Sequence, residues 1–105
     1  MRKIIDGKYY DTATADLVCD VSGTFDARSD HHFDDTQLYR SPRGRFFVAG
    51  GGGPRSRWAL AIGQGYTGGS GLEPVSTEEA RSLCERHGRL NDAEYAKFFD
   101  APVEG

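Results

Sequence analysis

Long apolar runs, metal-binding cysteine patterns and an acidic centre are all missing from this 105-residue sequence. No stretch reaches the roughly 20 apolar residues that a transmembrane helix needs, and the two isoleucines after Met1-Arg2-Lys3 are too few for a secretory signal. We therefore expect a cytoplasmic protein with no membrane partner. The two cysteines, Cys19 and Cys84, have no C-x-x-C or Cys/His spacing, which predicts reduced thiols, with a Cys19–Cys84 disulfide as the alternative.

The length of the chain limits its architecture. With 37% hydrophobic and 28% charged residues, the sequence is typical of a single soluble domain over residues 1–105. A domain of this size buries only roughly 60% of the surface of its unfolded chain, so a deep cleft between two lobes is not expected.

Charge is distributed in three blocks along the sequence. The formal charge is −4 over residues 1–39, +5 over residues 40–72, where no acidic residue occurs, and −4 over residues 73–105. Such asymmetry is typical of a protein with two binding faces, or of a fold in which the basic segment packs against the acidic ones.

Two helices are predicted in the C-terminal third. Ser76 and Glu79 have the spacing of a capping box and an apolar stripe follows, so we expect a helix from Ser76 to His87. Asn91 is placed to cap a second helix, whose buried side would be formed by Tyr95, Phe98 and Phe99.

Upstream of these helices the pattern changes to that of strands and turns. Residues 38–40 and 45–49 are β-prone runs separated by a turn with Pro42 and Gly44, which predicts a hairpin. Asp6-Gly7 predicts a tighter hairpin between residues 4–5 and 9–10, and residues 72–75 a short last strand.

Two segments leave alternatives open. Residues 16–21 favour a strand with Leu17, Cys19 and Val21 on one face over a helix capped by Asp11 or Thr12. Residues 57–62, which lie in the glycine-rich centre of the chain, fit either a strand or one helical turn. The fold class we expect is α+β, with an antiparallel sheet of about four strands packed against the two C-terminal helices.

A basic centre provides the first candidate site. Five arginines lie at and beyond the second predicted hairpin, with Tyr39, Phe46 and Phe47 interleaved: Arg40, Arg43, Arg45, Arg55 and Arg57. Arginines with interspersed aromatic rings are suited to a nucleic-acid backbone and its bases. Because Phe46 and Phe47 alternate in a strand, we expect at least one of them to be exposed.

An acidic segment provides the second candidate site. Four carboxylates lie within ten residues, at Asp26, Asp30, Asp34 and Asp35. Such a segment would complement an arginine-rich groove on a partner protein, or would be a solvated loop.

Signals for catalysis or metal binding are weak. His31 and His32 lie beside carboxylates, but adjacent residues of an extended chain point to opposite sides, and Ser29 lacks a glycine-flanked nucleophile elbow. We expect no metal, no cofactor and no enzyme activity, and a small hydrolase around His31 or His32 is the least favoured class.

The sequence also resembles a group of small bacterial proteins carried by phages and other mobile elements. The similarity covers most of the chain and rests on short motifs: Lys3-Ile4-Ile5-Asp6-Gly7-Lys8-Tyr9-Tyr10-Asp11-Thr12-Ala13-Thr14-Ala15, Leu38-Tyr39-Arg40-Ser41, Gly44-Arg45-Phe46-Phe47, Gly51-Gly52-Gly53-Pro54, Pro74-Val75-Ser76 with Glu78-Glu79-Ala80, and Tyr95 with Phe98. Gly51-Gly52 replaces the Gly-Glu step expected in that group.

The resemblance implies that the protein is encoded among the accessory genes of mobile DNA. Small inhibitors of host CRISPR systems recur among such genes. We therefore expect a non-catalytic, anti-CRISPR-like inhibitor that binds a host CRISPR–Cas effector through the four aspartates and blocks its access to nucleic acid. The alternative is a nucleic-acid-binding accessory protein that uses the five arginines.

Overall fold

The N-terminal residues fold back on themselves at Asp6-Gly7, as predicted. In the computed structural model, which describes residues 1–22, 34–52, 58, 60–63, 65–67, 69–87, 90–99 and 104–105, β1 (Arg2–Ile5) and β2 (Lys8–Asp11) form an antiparallel hairpin. Asp6 and Gly7 both have positive φ, 51° and 73°. Aspartate and glycine tolerate this conformation, which the tightest hairpin turns require.

The central element is a four-stranded antiparallel sheet. Its strands are β3 (Asp16–Asp20), β4 (Asp34–Arg40), β5 (Phe46–Gly52) and β8 (Gly69–Val75), in the spatial order β3-β4-β5-β8. Two short strands, β6 (Leu60–Ile62) and β7 (Gly65–Thr67), pair separately. The predicted β4–β5 hairpin is confirmed, and its turn is closed by a hydrogen bond of 2.7 Å from the Ser41 amide to the Arg45 carbonyl.

Strand β3 confirms the strand prediction for residues 16–21 but not its predicted face. The register against β4 shifts between Leu17 and Cys19, which is the signature of a β-bulge at Val18. Leu17 is consequently 58% exposed, while Val18, Cys19 and Val21 are buried. The expectation that Leu17 shares a face with Cys19 and Val21 is therefore wrong, because the extra residue breaks the alternation.

Both predicted helices are confirmed at the C-terminal end. Helix α1 spans Thr77–His87 and helix α2 spans Asp92–Phe98. The Ser76 hydroxyl accepts from the Glu79 amide at 3.0 Å, and the Asn91 side chain accepts from the Glu94 amide at 2.8 Å, so both caps satisfy a free backbone donor. In the described part of the chain, neither helix has the length and hydropathy needed to cross a membrane.

The two faces of the sheet are covered by different elements. Residues of α1, α2 and Trp58 pack on one face, which we call the helix face, with Leu38, Phe46 and Val48 of the sheet. The β1–β2 hairpin covers part of the other face, the hairpin face, where Tyr10 packs with a second set of residues, Phe47, Ala49 and Leu72. This arrangement confirms the α+β fold.

Phe46 and Phe47 show the consequence of this double coverage. Phe46 stacks on Phe99 on the helix face, with ring centroids 5.2 Å apart, and Phe47 contacts Tyr10 on the hairpin face at 5.4 Å. Both are buried. The expectation that one of them is exposed is wrong, because the β1–β2 hairpin covers the face that a simple two-layer fold would leave open.

The burial of Trp58 accounts for one glycine of the glycine-rich centre, Gly71. Its indole is buried, and its Nε1 donates to the hydroxyl of Thr36 at 2.9 Å. A Cβ atom on Gly71 would lie 3.0 Å from the indole ring, closer than side chains normally approach. Glycine at this position therefore lets strand β8 accept Trp58 without displacing the indole. Of the segment that fitted either a strand or a helical turn, residues 60–62 form a strand.

Candidate functional site

A cavity of about 560 Å³ opens between the β1–β2 hairpin and the β4–β5 turn. We call it the basic cavity, because its described lining contains three cations, Lys8, Arg43 and Arg45, against one acid, Asp11. Tyrosine rings and hydroxyls complete much of the wall, contributed by Tyr9, Tyr10, Thr14 and Ser41.

Aromatic packing fixes the hairpin that forms one wall. Tyr10 is buried and meets Phe47 at an interplanar angle of 61°, while Tyr39 stacks on the same ring with centroids 5.3 Å apart. Since side chains alternate along a strand, Lys8 lies on the same side of β2 as Tyr10. The anchoring of Tyr10 therefore holds Lys8 toward the β4–β5 turn.

The cations of the basic cavity are not neutralised by neighbours. Lys8, Arg43 and Arg45 are exposed, and among the described residues none of them forms an ion pair. One oxygen of the Asp11 carboxylate is already hydrogen-bonded, since its Oδ1 accepts from the Ala13 amide at 2.9 Å. The site therefore carries a net positive charge, which suits an anionic ligand.

Arg40 lies outside the basic cavity and holds the fold together. It forms a 3.7 Å ion pair with Asp16, donates to the Lys97 carbonyl at 3.2 Å and lies 4.7 Å from the centre of the Phe98 ring. These contacts join β4 to β3 and to α2. Of the five predicted arginines, the structure brings Arg43 and Arg45 together; the last two lie outside the described residues, at positions 55 and 57.

A second charged surface, which is acidic, lies near the start of β4, where Asp35 and Gln37 alternate onto the same face of the sheet as Tyr39. We call it the acidic patch and define it as Asp20, Asp35 and Gln37. The Gln37 Nε2 donates to Asp35 Oδ1 at 2.6 Å, and Asp20 lies opposite Gln37 on the neighbouring strand β3, where Gln37 contributes to the lowered pKa of its carboxyl. The amide of Gln37 therefore holds the carboxylate of Asp35, and strand pairing places Asp20 beside Gln37.

The electrostatics of Asp20 follow from its hydrogen bonds. The pKa of its carboxyl is lowered chiefly by the side chain of Ser22, with further contributions from the Ser22 amide, which donates at 2.8 Å, and from Gln37. Hydrogen bonds to a carboxylate favour its charged form. Asp20 is therefore firmly ionised at neutral pH.

The predicted acidic residues are described only in part. Asp35 is exposed and belongs to the acidic patch, and Asp34 is placed by its backbone as the first residue of β4. Asp26 and Asp30 lie outside the described residues, as do His31 and His32. Asp20 was not among the predicted residues, although the pairing of Asp20 with Gln37 brings it beside Asp35.

Lys8 and Tyr9 were also missed by sequence reasoning. They lie more than thirty residues before Arg43 in the sequence, and only the docking of the β1–β2 hairpin brings them to the β4–β5 turn. The available signal was the Asp6-Gly7 turn, which places Lys8 and Tyr10 on one side of a strand.

The two cysteines meet on the helix face. Both thiols are free and buried, and their Sγ atoms lie 3.1 Å apart. The hydrogen bond with Cys19 and burial raise the pKa of the Cys84 thiol, because ionisation would remove that bond and leave a buried charge. Among the described residues, no group of three or more His, Cys, Asp or Glu side chains is placed to hold a metal ion.

Comparisons with family models, curated proteins and solved structures find no significant match for this chain.

Proposed function

We propose that the protein is a non-catalytic inhibitor of the anti-CRISPR type, which binds a host CRISPR–Cas effector and blocks its access to nucleic acid. The observation that carries the proposal is the acidic patch, in which Gln37 hydrogen-bonds to Asp35 and pairs with Asp20 across strands β4 and β3. The motif resemblance to proteins of mobile elements supplies the biological setting.

The physical basis is competition for a basic groove. An effector binds nucleic acid through a positively charged channel, and a fixed array of carboxylates presents the same sign of charge as a phosphate backbone. Preorganisation matters because side chains that are already held in place lose little conformational entropy on binding. The remaining predicted carboxylates, Asp26, Asp30 and Asp34, lie in the sequence between Asp20 and Asp35 of the patch.

The test is charge reversal in the acidic patch. Asp35→Lys should weaken binding to the effector by at least about tenfold, because it turns an attraction into a repulsion at a docked surface. The matched control is Glu104→Lys, an equal charge change at an exposed residue near the C-terminal end of the sequence. Co-purification with a panel of CRISPR–Cas effectors, followed by measurement of their DNA binding, gives the readout. Unchanged inhibition by Asp35→Lys would overturn the acidic patch as the contact.

A second candidate function is favoured by the basic cavity. Arg43 and Arg45, placed beside Lys8, could hold a phosphate backbone, which would make the chain a nucleic-acid-binding accessory protein. Under this alternative, Arg43→Glu with Arg45→Glu abolishes DNA and RNA binding in a gel-shift assay, and the control pair Lys3→Glu with Arg86→Glu does not. Under the first proposal the arginine variant still inhibits the effector.

A further inference from the structure

We infer that the basic cavity is a binding site for a nucleoside 5′-phosphate. The inference goes beyond inhibition, because the cavity lies at the opposite end of β4 from the acidic patch. The distance from Asp35 to Ser41 along β4 is roughly 20 Å at about 3.3 Å per residue. A ligand in the cavity therefore need not touch the surface assigned to the effector.

The charge of the cavity selects the phosphate group. Lys8, Arg43 and Arg45 against Asp11 leave an excess of two positive charges. A phosphate monoester carries a charge of about −1.5 to −2 at neutral pH, which matches this excess better than the single charge of a diester or a carboxylate. Two arginines beside one lysine also offer the forked donors that bind phosphate oxygens in pairs.

The size and the aromatic wall of the cavity select the nucleoside. A volume of about 560 Å³ lies within the range of roughly 300–1,000 Å³ that small-molecule sites occupy, and it is far larger than one phosphate ion requires. Tyr9, which alternates with Lys8 and Tyr10 along β2, also lines the cavity and is 60% exposed. The Arg2 guanidinium lies over one face of its ring, 4.5 Å from the centre, so a base would stack on the opposite face. An exposed tyrosine ring is a platform on which a base can stack.

The rigidity of the site supports a preformed pocket. The Arg45 amide donates to the Ser41 hydroxyl at 3.1 Å, and the Gly44 amide donates to the Ser41 carbonyl at 2.9 Å, so the β4–β5 turn that carries both arginines is closed by its own hydrogen bonds. Tyr10 anchors the opposite wall on Phe47. Neither wall needs to reorganise for a ligand to enter between them.

The experiment is a calorimetric titration with adenosine monophosphate, inorganic phosphate and adenosine as separate probes. Adenosine monophosphate should bind at least about tenfold more tightly than either fragment, since both the cations and the aromatic wall contribute. Lys8→Ala should weaken binding about fivefold to tenfold, as expected for loss of one charge-assisted hydrogen bond. Lys3→Ala is the matched control, because Lys3 is an exposed lysine of the same hairpin that does not line the cavity.

Further arms of the titration separate the sources of the ligand. A five-nucleotide DNA strand with a 5′-phosphate that competes with adenosine monophosphate, and a strand without it that does not, would assign the site to nucleic-acid ends. Binding of the mononucleotide alone would assign it to free nucleotides, and both results support the inference. Equal binding of the two strands without any binding of the mononucleotide would overturn it, while leaving the nucleic-acid candidate intact. No binding of any probe, or equal weakening by Lys8→Ala and Lys3→Ala, would overturn it as well.

Discussion

The helix face of the sheet and its hairpin face differ in how completely they are covered and in what they expose. On the helix face, two capped helices and Trp58 enclose a large apolar cluster that includes both cysteines. On the hairpin face, the described residues that cover the sheet belong to the short β1–β2 hairpin and to Ala15, and the buried cluster there is small. The β1–β2 hairpin forms part of the wall of the basic cavity, and the acidic patch lies toward the other end of β4.

A domain of this size can keep its main core on one face of the sheet and its exposed charged surfaces on the other. A chain of 105 residues has one core, and the helix face contains most of it. The hairpin face can therefore leave charged residues exposed and a cavity open without exposing the main core. Under the functions proposed above, the helix face chiefly provides stability and the hairpin face chiefly provides binding.

Removal of a phenylalanine ring from each face tests this division most strongly. Phe46→Ala and Phe47→Ala should each cost about 3–5 kcal/mol in the free energy of unfolding, because both rings are buried and stacked. The two variants should differ in function. Under stabilising conditions Phe47→Ala loses the nucleotide titration, because Tyr10 loses its anchor, whereas Phe46→Ala retains it. Urea unfolding with calorimetry measures both, and equal nucleotide affinities would contradict the division of roles.

A covalent link on the helix face should stabilise the protein without changing the hairpin face. With the Sγ atoms 3.1 Å apart, mild oxidation by diamide should join Cys19 and Cys84, with diamide accepting the two hydrogens. Closure of a loop of this length is expected to add on the order of 4 kcal/mol to stability. Thiol titration and thermal unfolding check this, with Cys84→Ala as the control. Intermolecular dimers in place of the intramolecular bridge would count against the geometry.

Local sequence signals predicted most of the fold. The caps at Ser76 and Asn91, the turn at Asp6-Gly7 and the alternation of β4 and β5 each depend on residues that are close in sequence, and all are confirmed. The α+β class followed from these elements together.

Long-range packing could not be predicted in the same way. The bulge at Val18 depends on the register between β3 and β4, so Leu17 was placed on the wrong face. The burial of Phe47 depends on where the β1–β2 hairpin docks, and the same docking creates the basic cavity. Alternation gives the two sides of a strand, but it does not say which elements cover each side.

The hydrogen bond between Thr36 and Trp58 offers a smaller test of how the helix face contributes to stability. Thr36→Val keeps the shape of the side chain and removes the acceptor of the buried indole N–H. The expected cost is about 1–3 kcal/mol in the free energy of unfolding, since the buried indole N–H loses the Thr36 hydroxyl as an acceptor. Because Trp58 packs on the helix face, nucleotide binding should not change. Chemical denaturation measures the loss, and the indole N–H signal in NMR reports the environment of Trp58. A variant as stable as the native chain would show that this bond contributes little to the helix face.

The smallest expected effect belongs to the acidic patch and concerns pH. The pKa of Asp20 is lowered in the folded protein, so its contribution to stability is present above the unfolded value of about 3.9 and is lost as pH falls through the folded value. Asp20→Asn should therefore flatten the decline in melting temperature below about pH 4, and it should leave the stability of the helix face unchanged at pH 7 apart from a small offset. Glu104→Gln, at an exposed residue outside the patch, is the control. The contrary result is that both variants lose stability as steeply as the native chain when the pH falls. That result would mean that the hydrogen bonds of Asp20 stabilise its charge too weakly to organise the acidic patch. It would contradict the proposal that the patch is preorganised for an effector.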